Sequence, residues 1–344
     1  MSVADAMRYA SVIASWNHRG IHNMKPWAIV APLTLACWLG HAHGQTGYPA
    51  KSIRLVVPFP PGASVDVMGR IFAEKLREAL GQPVVVDNRG GAGGAIGAEI
   101  VAKAPPDGYT LMFTSVSYTT NAAVQTKLPF DPLADISGVA LIGKAPMLLV
   151  VHPALPAKSA RELIALARAR PGQLNYASNG SGTLPHLQTE MLMRDARISL
   201  VHVPYKGLAA AVTDLVSGQV HVLLGSPPSV YPQVKAGRLR ALAVSTAKRS
   251  AFVPELPTIA ESGVPGYTGE QWWGMFTRAG TPTEVAALLS AEILKILASD
   301  DMKRRLSAEG AEPTPMAAAN FNVFVREEIA KWTRLVRERK IAPE

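Results

Sequence analysis

The run Ile53-Arg54-Leu55-Val56-Val57-Pro58-Phe59, then Pro60-Pro61-Gly62-Ala63-Ser64, then Val67, Met68, Ile71, Phe72, Leu76 and Leu80, decides the fold. The first seven residues are apolar almost throughout, as a strand buried on both faces requires. The Pro/Gly stretch is a loop. The later apolar residues recur at helical spacing and mark one face of a helix. Gly81 follows as a helix-ending glycine should. Strand, loop and helix in that order are the unit of an α/β fold.

Working outward, the unit repeats. Strands are predicted at 84–87, 110–115, 148–152, 174–178, 200–204, 220–225 and 239–245. Helices are predicted at 95–104, 160–170, 209–217 and near 183–194. An apolar run at 274–278 precedes two more helices. The last carries Phe321, Phe324, Val325, Ile329, Trp332 and Val336 on one face. The alternation predicts an α/β protein with mainly parallel strands. Its strands are too many for one sheet of ordinary size, so two α/β lobes are expected.

The 344 residues suffice for two cores, and 48% hydrophobic against 18% charged residues is a globular balance. The net charge of +9 admits a nucleic acid, a membrane surface or an anionic ligand. Lys and Arg are scattered along predicted helices, and the densest group, 334–340, interleaves with apolar residues. That is a solvated helix face, and no nucleic-acid-binding motif accompanies it.

Lys25 precedes a 12-residue apolar stretch, 28–39, and Ala42-His43-Gly44 has the small-x-small form of a cleavage site. A spanning helix needs roughly 20 apolar residues, so this is a secretory signal and not an anchor. Residues 1–44 are read as signal peptide with an N-terminal extension before Met24. The single cysteine, Cys37, would leave with it.

Three loops carry candidate chemistry. Pro58-Phe59-Pro60-Pro61-Gly62-Ala63-Ser64-Val65-Asp66 joins a strand to a helix, whose first N–H groups favour an anion. An ordinary βα loop with Ser64 as N-cap is the competing reading. Asn175-Tyr176-Ala177-Ser178-Asn179-Gly180-Ser181-Gly182-Thr183-Leu184-Pro185-His186 repeats the arrangement. It reads as a second anion nest or a plain capped loop. Asn88-Arg89-Gly90-Gly91-Ala92-Gly93-Gly94-Ala95-Ile96-Gly97 invites a nucleotide reading. Its glycine register is wrong for a dinucleotide loop, so a tight turn before a closely packed helix is expected. His152, His186, His202 and His221 lack metal-ligand spacing, so no metal is expected. There is no nucleophile–base pair and no cofactor loop. No catalytic residue, cofactor or enzymatic activity is expected.

Taken together, the ordered motifs resemble the substrate-binding receptors of tripartite tricarboxylate transporters, the Bug receptors. The marks include Tyr48-Pro49 with 58–66, the run 80–89, Pro106-Asp107-Gly108-Tyr109-Thr110-Leu111, Leu128-Pro129-Phe130-Asp131-Pro132 and the run 171–178. Val203-Pro204-Tyr205-Lys206-Gly207, the run 239–244, the run 257–263 and Ala279-Gly280-Thr281-Pro282 complete them.

The resemblance implies a two-lobed periplasmic-binding-protein fold, a type II-like flytrap joined by crossover strands. Lobe one would be 45–143 plus 272–344, and lobe two 144–271. It implies a monomeric periplasmic receptor for a small organic carboxylate, serving membrane transporter subunits or a sensor kinase. Carried over by position, Gly62, Ala63, Ser64 and Asp66 would bind from lobe one, with Ser115 and Ser117. Ser178, Gly180, Gly182, Thr183 and His186 would bind from lobe two, joined by Tyr205. Phe59 and Trp273 would set specificity deeper in the cleft.

Three departures stand out. The family pattern has a second glycine where Ala63 stands, and a methyl there disfavours positive φ. Leu184-Pro185 would stiffen the second loop. Gly225 stands where the pattern often has an acid, which suits a ligand without an amino group.

Overall fold

A computed structural model describes residues 47–125 and 127–342. The signal segment expected over 1–44 lies outside the described residues. From Tyr48 onward the chain forms one compact unit built on two sheets.

The six-stranded sheet has the order β11-β4-β10-β3-β1-β2. Its strands are β1 (Ile53–Val57), β2 (Val84–Asn88), β3 (Thr110–Ser115), β4 (Ile136–Pro146), β10 (Glu270–Arg278) and β11 (Glu312–Ala317). The five-stranded sheet has the order β7-β6-β8-β5-β9. It comprises β5 (Leu148–Val151), β6 (Asn175–Ser178), β7 (Val201–Pro204), β8 (Val222–Gly225) and β9 (Arg240–Val244). The helices are α1 (Ser64–Leu80), α2 (Ala95–Ala102), α3 (Ser117–Val124), α4 (Ala160–Ala169) and α5 (Leu184–Ala196). They continue with α6 (Leu208–Val216), α7 (Pro227–Lys235), α8 (Thr283–Ala298), α9 (Asp300–Ala308) and α10 (Ala318–Arg339).

The expectation of mainly parallel strands needs correcting. β1 pairs in parallel with β2 and β3, and β6 with β7 and β8. The other five pairings are antiparallel. The reason is the way the chain changes sheet. β4 belongs to the first sheet, and after Met147 alone the chain enters β5 of the second. β10 brings it back. Strands that enter and leave a sheet this way run against the βαβ units beside them.

The two crossings are tied together at Ser245. Its N–H donates to the Met147 carbonyl at 2.9 Å, and its Oγ accepts from the Met147 N–H at 2.9 Å. Ser245 Oγ also donates to the Gly269 carbonyl, while the Gly269 N–H donates to the Ser245 carbonyl at 3.0 Å.

Helix α1 packs on the first sheet through Val65, Met68, Phe72 and Leu76, with Phe72 stacked on Phe113 at 5.5 Å. This face is rotated from the predicted one, since Val67 points to solvent at 43% exposure and Val65 takes its place. Fully burying a side chain such as Phe72 or Leu76 contributes about 1.5–3 kcal/mol. On α10 the buried residues are Phe321, Val325, Glu328, Trp332 and Leu335. Trp332 Nε1 and Trp272 Nε1 both donate to Glu328 Oε2, at 3.1 and 3.4 Å. In the glycine run 90–97, Gly97 is a close-packing position, while Ala92 and Gly93 border a cavity. A Cβ built on Gly97 would stand 2.7 Å from Pro58 Cβ and 2.9 Å from the Arg89 carbonyl oxygen, so α2 packs too closely for any side chain there.

Candidate functional site

A cavity of about 780 Å³ lies at the ends of strands from both sheets. Its wall takes Ala63 from the loop after β1 with Ser64 and Val65 from the start of α1, and Ser115 from the end of β3 with Ser117 from the start of α3. The loop after β6 supplies residues 179–185. Leu208 follows β7, and residues 226–229 follow β8. Ala145, Met147, Gln271 and Trp273 border it from the crossing strands. A ligand site outside the carboxyl ends of strands is where an α/β fold can offer helix N-termini.

Five helices start at this wall: α1, α3, α5, α6 and α7. In none of them does the N-cap residue's own side chain cap the first turn, although at α3 the Ser117 N–H donates to Ser115 Oγ at 3.4 Å. The two helices with a side-chain N-cap, α4 through Ser159 and α9 through Ser299, start elsewhere. So do α2, α8 and α10, which also lack one. An uncapped helix start leaves N–H donors without intrahelical partners and carries the positive end of the dipole. At α7 the donors are reduced, because Pro227 and Pro228 carry no N–H. No Lys, Arg or His is among the described residues of the wall. Donors for an anion here are therefore mainly backbone N–H groups. Trp273 adds a donor: its Nε1–H is buried without an acceptor, and the ring borders the cavity.

The first loop is shaped by a charged network. Asp66 is 2% exposed. Its carboxylate accepts from the Gly62 N–H at 2.9 Å, Arg70 Nε at 3.0 Å and Asn88 Nδ2 at 2.8 Å. Burial pushes its pKa up, but hydrogen bonds from Arg70, Gly62 and Asn88 outweigh that and hold it below the usual carboxylate range. Asn88 Nδ2 also donates to the Phe59 carbonyl at 3.0 Å, so a residue of the glycine-rich motif buttresses this loop. Gly62 takes the left-handed φ of 84° that the turn requires. The expected strain at Ala63 is absent: it is extended, at φ −67° and ψ 153°, and is itself the N-cap in place of Ser64.

The second loop is held by uncharged acceptors. The Gly182 N–H donates to His186 Nδ1 at 2.9 Å, one turn inside α5. Ser178 Oγ shares a 2.6 Å hydrogen bond with His202 Nε2 and accepts from the Gly180 N–H at 3.1 Å. The two imidazoles stack at 4.1 Å, and Tyr176 stacks on His202 at 4.9 Å. Behind them Tyr176 donates to Glu190 at 2.8 Å, and Arg339 at the end of α10 pairs with Glu190 at 2.6 Å. Pro185 sits in the first turn of α5, where its missing N–H costs nothing.

Of the residues singled out from sequence, Phe59, Ala63, Ser64, Ser115, Ser117, Gly180, Gly182 and Thr183 border the cavity, as does Trp273. Gly62, Asp66, Ser178, His186 and Tyr205 do not. The first four of these shape the loops that do. The Tyr205 hydroxyl is turned away, donating to Asp214 at 2.8 Å. Asn179 borders the cavity from within the second loop, whereas sequence reading did not single out Leu208, Ser226, Ser229 or Glu309 and took Ala92 and Gly93 for a structural turn. Leu208 and Ser226 were findable, since each opens a helix directly after a strand. Glu309 had no local signal, because it arrives from the end of α9. Among the described residues no group of three His, Cys, Asp or Glu could hold a metal ion.

Comparison with known proteins adds a family. Residues 68–341 match the family described as "Tripartite tricarboxylate transporter family receptor". The protein BugT of Bordetella pertussis is 38% identical over 293 residues, 85% of this chain and 90% of that protein. A protein of R. palustris solved with adipate is 38% identical, covers 86% of this chain and all of its own, and superposes with a TM-score of 0.75. MatC from Rhodopseudomonas palustris with bound malate is 31% identical, covers 84% of this chain and all of its own, with a TM-score of 0.71. The chain belongs to the tripartite tricarboxylate transporter receptor family and has its two-lobed fold.

Proposed function

We propose that this member of the tripartite tricarboxylate transporter receptor family is a periplasmic solute receptor. It holds a small organic carboxylate in the cavity between its lobes and presents it to membrane transporter subunits. The observation that carries the reading is the convergence of five helix starts without side-chain caps on one cavity whose described wall has no basic side chain. Such a site suits an anion small enough to be reached by several N–H groups at once. The adipate and malate held by the two R. palustris relatives are anions of that kind.

In mechanism, the carboxylate takes hydrogen bonds from the α1 start on one side and the α5 start on the other. Ser115, Ser117 and Thr183 hydroxyls complete the shell. Trp273 Nε1–H is a further donor, and Phe59 supplies an apolar flank for the carbon chain. Because the two nests sit on different sheets, a bound anion bridges them. Excluding water around those bonds strengthens them. The sequence features of 1–44 supply export, and the mature receptor acts as a monomer in the periplasm.

The test is a thermal-shift panel of mono- and dicarboxylates on protein stripped of ligand by unfolding and refolding. A ligand that binds only the native state raises its midpoint, by about 2.7 kcal/mol of stabilisation at 100 times Kd. At least one member is expected to do so. A flat panel from refolded, monodisperse protein sinks the reading.

A further inference from the structure

Gly225 removes the acid that the family pattern often places at the start of the loop after β8, yet the cavity is not without one. Glu309, the C-cap residue just after α9, borders it from the far part of the chain. Its neighbour Gly310 is packed against that same loop. A Cβ built on Gly310 would stand 2.6 Å from Pro227 Cβ, and its φ is 69°. The turn that carries Glu309 therefore lies directly beside the Ser226-Pro227-Pro228 segment. Its Oε2 accepts from Ser64 Oγ at 3.2 Å, at the very start of α1. Glu309 is the one charged side chain among the described residues of the wall, and none of the ion pairs among the described residues includes it.

An unpaired carboxylate at the lip of an anion nest divides ligands by charge. A ligand with one carboxylate in the nest and a second directed at Glu309 meets like charge at short range. A ligand whose other end carries an ammonium or a neutral donor meets an acceptor. Asn179, in the same wall, also carries an Oδ1 that is buried without a donor. We propose that Glu309 is a specificity-determining residue, and that it selects carboxylates that also bear an ammonium or N–H donor over dicarboxylates. The proposal rests on the carboxylate-receptor reading above and reverses the expectation, drawn from Gly225, of a ligand without an amino group.

The experiment titrates wild type, E309Q and E309D with 6-aminohexanoate and adipate, which have six carbons each and differ at one terminus, an ammonium in the first and a carboxylate in the second. Wild type is expected to favour 6-aminohexanoate by about tenfold or more, the scale of one short-range charge contact at a partly solvated site. E309Q should bring the two probes to within about threefold, chiefly by improving adipate, and E309D should keep the wild-type order. A wild-type preference for adipate overturns the proposal, as does a ratio unchanged in E309Q. Both outcomes leave the receptor reading standing. If neither probe binds any of the three proteins the proposal falls, and if hexanoate and malate also fail to bind, the receptor reading falls with it.

Discussion

The loop after β1 and the loop after β6 do the same job with different supports. Each turns a strand end into an uncapped helix start facing the cavity. The first is held by a buried carboxylate, Asp66, that takes the Gly62 N–H, Asn88 and Arg70. The second is held by an imidazole, His186, that takes the Gly182 N–H, backed by a stack of His202 and Tyr176. A carboxylate placed behind the first loop, outside the wall, pins backbone without repelling the guest. Glu309 differs because it stands in the wall itself. On the proposal above, where a charge sits relative to the cavity decides whether it shapes the loop or chooses the ligand.

The largest break comes from removing the charged support. Asp66→Ala leaves the Gly62 N–H and Asn88 amide without their acceptor. It should cost about 3 kcal/mol, read as a lower urea midpoint, and weaken ligand binding with it. The same residue sets an acid limb. Its folded pKa is depressed, so its contribution is fully present above the unfolded value of about 3.9 and is lost as pH falls through the folded value. Stability measured from pH 7 down to 2 should fall less steeply in Asp66→Asn than in wild type below about pH 4. Parallel curves would show that Asp66 carries no such linkage.

His186→Ala removes the neutral support and should cost about 2 kcal/mol, from one unpaired N–H and a vacated stack. If it matched Asp66→Ala in cost, the distinction between the two loops would lose its energetic content. Gly62→Ala tests the turn alone: a methyl at φ 84° should cost about 1–2 kcal/mol. Ala63→Gly should be smallest, a few tenths of a kcal/mol through unfolded-state entropy, because Ala63 is already extended. A stabilising Ala63→Gly would show strain that the backbone angles do not.

Much of this was legible in the chain. β3 was read at 110–115 and found there, because Leu111, Met112 and Phe113 form an uninterrupted buried run. Three helices follow β10 where two were expected, and four further elements were not read, each for a local reason. β4 is buried but broken by Gly138, Gly143 and Lys144, and Gly143 is needed where a Cβ would stand 2.8 Å from the Glu312 carbonyl oxygen. β11 carries Pro313 and Pro315, tolerable only on an edge strand, which it is. The α3 stretch, Ser-Tyr-Thr-Thr-Asn, has poor helix propensity and is held by tertiary packing of Tyr118, Thr119 and Thr120. α7 begins with two prolines and contains Pro232. At the site, both loops were legible because their residues are contiguous. Glu309 was not, because only the fold brings it beside Ser64.

The central claim is that backbone helix starts, not basic side chains, hold a carboxylate in this cavity. Its most direct test is a calorimetric titration of ligand-free protein with the carboxylate that gives the largest thermal shift, beside its primary amide. The amide keeps shape and loses charge. The account predicts that the carboxylate binds at least about a hundredfold more tightly, the scale of a few charge-assisted hydrogen bonds. Equal affinities for acid and amide would contradict it.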